Sequence, residues 1–60
     1  MTRIPVLRTE RQIRQYLLAA RAGLTRHRLW KIETRRSTPT RAESRAIAKA
    51  LKVTIDALGL

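Results

Sequence analysis

The stretch from Gln15 to Glu33 constrains the fold most, because its pattern predicts two short helices separated by a glycine. Gly23 stands where the first helix must stop in a left-handed residue, a conformation that glycine adopts at little cost. Thr25 follows at a position where its hydroxyl can accept from backbone N–H groups of the next turn as an N-cap. Leu29 and Ile32 are three residues apart, so they share one helix face, which we predict to lie inward.

Two helices joined by such a turn form a helix-turn-helix, and this one resembles that of the lambda-repressor/Cro-like (XRE-like) DNA-binding domains. The matching residues are Gln15, Leu18-Ala19, Gly23-Leu24-Thr25, Leu29, Ile32 and Glu33. The similarity continues through Pro39, Ile47–Leu51, Val53–Asp56 and Leu58. The resemblance implies an all-α fold, a compact bundle of four to five short helices in which residues 1–60 form a single DNA-binding domain.

The composition agrees with a polyanionic partner. The chain has 60 residues, which allow one small domain, and a net charge of +10. Most of its basic residues are arginine, whose planar fork suits phosphate and guanine. There is no cysteine and no apolar run near the ~20 residues of a membrane span. We therefore expect a cytoplasmic protein without a membrane partner.

The second helix of the motif, from Thr25 to about Thr34, is the expected recognition helix. The amino-terminal end of such a helix enters the major groove. If Leu29 and Ile32 face inward, a 100° step per residue directs the intervening polar side chains outward. The resemblance implies base reading by three residues on that outward face, and we add Trp30 as a fourth candidate, which gives Arg26, His27, Trp30 and Lys31.

Trp30 departs from the family pattern, which has a small or polar residue at this position. It could fold over the edge of the core or cover the stem of a neighbouring arginine. It could instead contact a thymine methyl group or pack along the sugar–phosphate backbone. Glu33, acidic within a basic helix, is expected to pair with a nearby arginine and orient it.

Phosphate contacts are expected on both sides of the recognition helix. Gln15 resembles the family residue that binds a phosphate beside that helix, and the loop after the helix grips phosphates in this family. Arg35 occupies the position of a common family glycine, so the helix either runs longer or ends in a left-handed arginine. The expected phosphate ligands are Gln15, Thr25, Arg28, Arg35, Arg36, Ser37 and Thr38.

The flanking segments are less constrained by their sequence. Residues 5–11 fit a first helix with Pro5 in its first turn, but residues 3–7 also fit an extended arm, and residues 9–12 a capping box that starts one long helix at Glu10. We prefer two helices, although Gln12 stands where the family has glycine. Residues 40–43 predict a capping box for a helix that continues to about Lys52. Thr54 is expected to cap a last short helix whose Ile55, Leu58 and Leu60 close the core.

These features together predict a sequence-specific double-stranded DNA-binding transcriptional regulator of the repressor/Cro type, which acts in a bacterial or phage-infected cell on the nucleoid. A homodimer is an additional expectation. The alternatives are a protein-interaction module, such as an antitoxin-like or regulatory subunit, and a nonspecific nucleic-acid-binding protein. Four scattered acids, one histidine and no cysteine offer no pair of nucleophile and base, so we expect no enzyme activity, cofactor, metal or small-molecule substrate.

Overall fold

The computed structural model describes all 60 residues and contains only helices. Four α-helices follow one another along the chain: α1 (Ile4–Glu10), α2 (Gln15–Arg21), α3 (Arg26–Glu33) and α4 (Arg41–Leu51). A 3₁₀ turn (Asp56–Leu58) comes after them. The expected all-α bundle of short helices is confirmed. No helix has the length and apolar character that crossing a bilayer requires.

All four α-helices end in the same way, with a left-handed residue just after the last turn. In each case the following N–H reaches back to a carbonyl of the last turn, as in Leu24 N to Ala19 O at 2.8 Å. Gly23, with φ +71°, supplies this residue after α2, and no atom lies within 4 Å of the Cβ that it lacks. The three other helices use larger residues in the left-handed conformation, namely Gln12, Arg35 and Lys52.

The helix starts follow the sequence closely. Thr25 Oγ1 accepts from Arg28 N at 3.0 Å, and this bond starts α3 immediately after the turn. At α4 the capping box is complete, because Thr40 Oγ1 accepts from Glu43 N while Glu43 Oε1 accepts from Thr40 N. Pro5 lies in the first turn of α1. Ile4–Glu10 is helical, so the prediction of an extended arm is wrong. The left-handed Gln12 ends this helix before α2 begins, so the prediction of a single long helix is wrong as well.

The core is a single cluster contributed by every helix. Leu29 and Ile32 are almost fully buried in it, as their spacing predicted. Ser44 is buried too, and its hydroxyl donates to Thr40 O at 3.1 Å. The apolar members are Ile4, Leu7, Leu18, Ala19, Leu29, Ile32, Ile47, Ala48, Leu51 and Leu58.

The last turn departs from the prediction in its packing. Leu58 is fully buried, but Ile55 and Leu60 are 37% and 45% exposed, so the prediction that all three close the core was wrong. A three-residue 3₁₀ turn directs only one of these side chains inward, and Gly59 then turns the chain away with φ +67°. Thr54 Oγ1 accepts from Ala57 N at 3.3 Å, as its predicted capping role requires.

Candidate nucleic-acid interface

The outer face of α3 is open to solvent. Arg26, His27 and Trp30 are exposed on it and Lys31 is half-buried, so Lys31 is the one predicted reading residue that the protein partly covers. The only acid in α3 is Glu33, which is 3% exposed and lies on the inner side. The exposed face of this helix is therefore cationic and aromatic, without a carboxylate that would repel phosphate.

A chain of hydrogen bonds connects this face to the interior. Arg8 Nε, from α1, donates to Glu33 Oε2 at 3.0 Å, and Gln15 Nε2 donates to Glu33 Oε1 at 2.9 Å. Gln15 Oε1 in turn accepts from Arg26 Nε at 3.3 Å. The predicted pairing of Glu33 with an arginine is thus present. The network fixes the first residues of α2 and α3 relative to each other.

Arg28 lies at the junction of α3, the following loop and α4. Its guanidinium donates to both carboxylate oxygens of Glu43, at 2.8 and 2.7 Å, to Thr38 O at 3.2 Å, and to Ser37 Oγ. The hydrogen bond from Arg28, with further help from the Thr40 backbone, lowers the pKa of Glu43 to about 2. The same hydrogen bond raises the pKa of Arg28 above its ordinary value. Arg28 therefore holds together two of the residues that were predicted to bind phosphate.

Arg35 and Arg36 are neighbours with different surroundings. Arg35 adopts φ +61°, which settles the question left open by the sequence in favour of a left-handed arginine. Its guanidinium donates to Gly59 O at 2.7 Å and to Leu60 O at 3.1 Å, so it ties the loop to the carboxyl-terminal segment. Arg36 makes no side-chain hydrogen bond or ion pair within the chain and instead lies over the ring of Trp30.

Trp30 contacts two of the predicted DNA-binding residues. Its ring stacks on that of His27, with centroids 5.6 Å apart and planes inclined by 19°. The Cζ atom of Arg36 lies 4.5 Å from the centroid of the Trp30 ring. Of the alternatives that the sequence left open, a contact with a neighbouring arginine is present, but it is made by the guanidinium and not by the stem that was predicted. The spacing of three residues between His27 and Trp30 was a signal for the stack.

Several residues that shape this surface were not among the predicted DNA contacts. Arg14 and Tyr16 line an open cleft beside the start of α2 together with Arg8, Gln15 and Arg26. Arg14 precedes Gln15 directly, so its position next to an expected phosphate ligand was the available signal. Glu43 was recognised only as part of a capping box. No three His, Cys, Asp or Glu side chains are grouped as a metal site would need.

Comparison with known protein families gives a match over most of the chain. A family model described as helix-turn-helix, of the XRE/lambda-repressor-like class, matches residues 7–58. This range includes α2, α3, the loop and every residue predicted to contact DNA. Searches of curated proteins and of solved structures gave no match. The matched family comprises DNA-binding regulatory domains that are typically non-enzymatic.

Proposed function

The chain belongs to the XRE/lambda-repressor-like helix-turn-helix family, a family of DNA-binding regulators, and from this premise we propose that it is a sequence-specific transcriptional regulator of the repressor/Cro type. It binds double-stranded DNA with α3 in the major groove. The observation that carries the proposal is the face of α3, on which Arg26 and His27 are exposed and Lys31 is half-buried, while Glu33, the only acid of the helix, is buried.

Base reading falls mainly to Arg26 and Lys31. Both can bond to guanine O6 and N7, with about 1–3 kcal/mol of discrimination for a good bidentate pair. They are five residues apart on α3, roughly 7.5 Å along the axis, so they can reach different base pairs. Gln15 holds Arg26 Nε, which leaves the terminal nitrogens of the guanidinium for a base. His27 and Trp30 complete the proposed reading face, with His27 beside the Arg26 end of the helix.

Phosphate contacts surround this face. Thr25 accepts the cap bond through its oxygen, so its hydroxyl proton remains available to a phosphate. Gln15 uses one amide N–H on Glu33 and retains the other. Arg36 has its whole guanidinium to offer. These three are the strongest phosphate ligands that we propose.

The remaining predicted phosphate ligands have a second task within the protein. Arg28 uses four N–H bonds on Glu43, Ser37 and Thr38, and Arg35 uses two on the carboxyl-terminal carbonyls. We propose that they hold the loop in the shape that presents Ser37 and Thr38 to a phosphate. Their own charges add attraction at longer range.

A salt titration tests the electrostatic part of the proposal. If about six phosphates are engaged, log K for a duplex should fall with log salt at a slope near −5. The measurement is fluorescence anisotropy of a labelled duplex between about 50 and 200 mM salt. A slope near zero would remove phosphate neutralisation as the source of affinity. A protein of this function would work on the nucleoid, and a two-fold symmetric binding site would indicate that it binds as a homodimer.

One observation favours a second function, that of a protein-interaction module. Tyr16 is 58% exposed on α2, and Leu17 lines a surface groove with Ile13 and Ala50, to which α3 contributes nothing. A regulatory subunit or an antitoxin-like protein would use such a surface for its partner. Recovery of a stoichiometric protein complex without any duplex binding would support this function over the first, and equal affinity for all duplexes would indicate nonspecific binding.

A further inference from the structure

The contact between Trp30 and Arg36 joins two segments with different proposed tasks. Trp30 belongs to α3, the reading helix, whereas Arg36 belongs to the loop that follows it. Trp30 is 37% exposed as a residue, so it is neither a core residue nor fully available to a ligand. An exposed indole with a guanidinium over its face is a cation–π pair, which is stabilising even when solvent reaches it.

The backbone at the end of α3 brings these two side chains together. Arg35 N bonds to Ile32 O at 3.2 Å, and Arg36 N bonds to Lys31 O at 2.8 Å. Because Arg35 is left-handed, the chain turns back against the last turn of the helix. Arg36 is thereby returned to the level of Trp30, although it is six residues further along the chain. The contact is a consequence of how the helix ends.

His27, which precedes Trp30 on α3, stacks on the Trp30 ring and limits its orientation. A side chain one turn earlier on the same helix lies next to Trp30, and the two rings are within 19° of parallel. The indole therefore has neighbours on α3 and on the loop. A ring held in this way is a fixed platform for Arg36, whose long side chain would otherwise sample many rotamers in solvent.

We propose that Trp30 is a positioning residue, which holds the Arg36 guanidinium in place for a DNA phosphate. This inference rests on the proposed function and deepens it, because it replaces direct base reading by Trp30 with an action through Arg36. Ordering a flexible arginine before binding removes part of the entropy that binding would otherwise cost. The effect is independent of DNA sequence, since a phosphate contact carries no base information.

A double-mutant cycle tests this inference with a short labelled duplex of mixed sequence. The proteins are the wild type, Trp30→Ala, Arg36→Ala and the double variant, with Trp30→Phe as the conservative variant. Trp30→Ala should weaken binding about 2- to 5-fold in the wild-type background, the range expected for an exposed cation–π pair. It should have no further effect once Arg36 is alanine. Trp30→Phe should retain most of the affinity, because its ring still presents a face to Arg36.

The salt dependence separates the two residues further. Arg36→Ala should reduce the slope of log K against log salt by about 0.9, the change for one phosphate contact. Trp30→Ala keeps the charge of Arg36 and should leave the slope unchanged. Arg21→Ala is the matched control for charge, because Arg21 lines the groove to which α3 contributes nothing. Circular dichroism melting confirms that each variant folds, and Trp30→Phe carries the test alone if Trp30→Ala does not.

The outcomes distinguish a failure of the proposed DNA binding from a failure of the proposed role of Trp30. Wild-type protein that binds no duplex would remove the proposed function, and this inference with it. Wild-type protein that binds, with equal losses from Trp30→Ala in both backgrounds, would overturn the inference alone. A Trp30→Phe variant as weak as Arg36→Ala would do the same. The cycle is repeated on a second duplex of different sequence, and a loss in Trp30→Ala that differs between the two duplexes would return Trp30 to base reading and overturn the inference.

Discussion

Arg28 and Glu43 form a bidentate ion pair that joins α3 to α4, with Arg28 Nε 2.8 Å from Glu43 Oε2 and Arg28 Nη2 2.7 Å from Glu43 Oε1. The same carboxylate completes the capping box of α4 through Thr40 N. Glu43 therefore joins the start of α4 to the first turn of α3, and Arg28 joins both to the loop through Ser37 and Thr38. This arrangement makes the stability of the fold depend on the ionisation of Glu43.

The stability of the fold should fall between pH 4.5 and about 2. Arg28 lowers the pKa of Glu43 from 4.5 to about 2 in the folded protein, so the unfolded chain takes up a proton first as the pH drops. The contribution of this carboxylate is complete above pH 4.5 and is lost through that window. Thermal melts from pH 2 to 6 measure it, with Glu43→Gln as the matched variant, which keeps an acceptor for the cap. The melting temperature of Glu43→Gln should be lower near pH 6 and should change less with pH. A parallel pH dependence in both proteins would contradict this assignment.

Replacing Gln12 with glycine should stabilise the protein. Gln12 is left-handed at φ 56°, a conformation that disfavours a residue with a Cβ. Glycine also raises the conformational entropy of the unfolded chain, which offsets part of this effect. The free energy of unfolding should therefore rise by about 1 kcal/mol. This corresponds to a rise in melting temperature of about 4–8 °C for a domain of this size.

Gly23→Ala is the opposite substitution at the equivalent position after α2. No atom lies near the added Cβ, so only the backbone conformation is disfavoured and the melting temperature should fall by a similar amount. If both substitutions shift it in the same direction, the conformations at these two helix ends have been assigned wrongly.

Arg8→Met should destabilise the protein strongly, because it leaves the Glu33 carboxylate buried with only Gln15 as a partner. Removing one member of a buried ion pair costs about 3–5 kcal/mol, and Arg8 is partly exposed, which places the expected loss at about 3 kcal/mol. Urea unfolding measures it. Adding Glu33→Leu should restore most of the stability, since the unpaired charge is then gone. A double variant no more stable than Arg8→Met would show that the burial of this charge does not explain the loss.

Most of the fold could be predicted from local signals in the sequence. The glycine turn, the Thr25 and Thr40 caps and the inward pair of Leu29 and Ile32 depend on residues within a few positions of one another, so they were predictable. Ile55 and Leu60 were not, because a 3₁₀ turn does not follow the 3.6-residue period from which burial was inferred.

The candidate site was predictable in location but not in the task of each arginine. Whether a basic side chain is free depends on partners far along the chain. Glu43 lies 15 residues from Arg28, and Leu60 lies 25 residues from Arg35. These pairings are set by how the helices pack, and no local pattern encodes them. Of the four arginines predicted to contact DNA, only Arg36 makes no side-chain hydrogen bond within the protein, and its guanidinium lies over the ring of Trp30.

Selection of bound duplexes from a random pool is the most direct test of the claim that the outer face of α3 reads DNA. The proteins are the wild type, Lys31→Ala and Arg36→Ala, of which the last removes the same charge from the loop. We predict that the wild type enriches a defined site containing guanine. Lys31→Ala should lose base preference at one part of that site, while Arg36→Ala selects the same site with weaker binding. If the wild type enriches no site, or if both variants lose affinity uniformly without a change in selected sequence, α3 is not the reading helix.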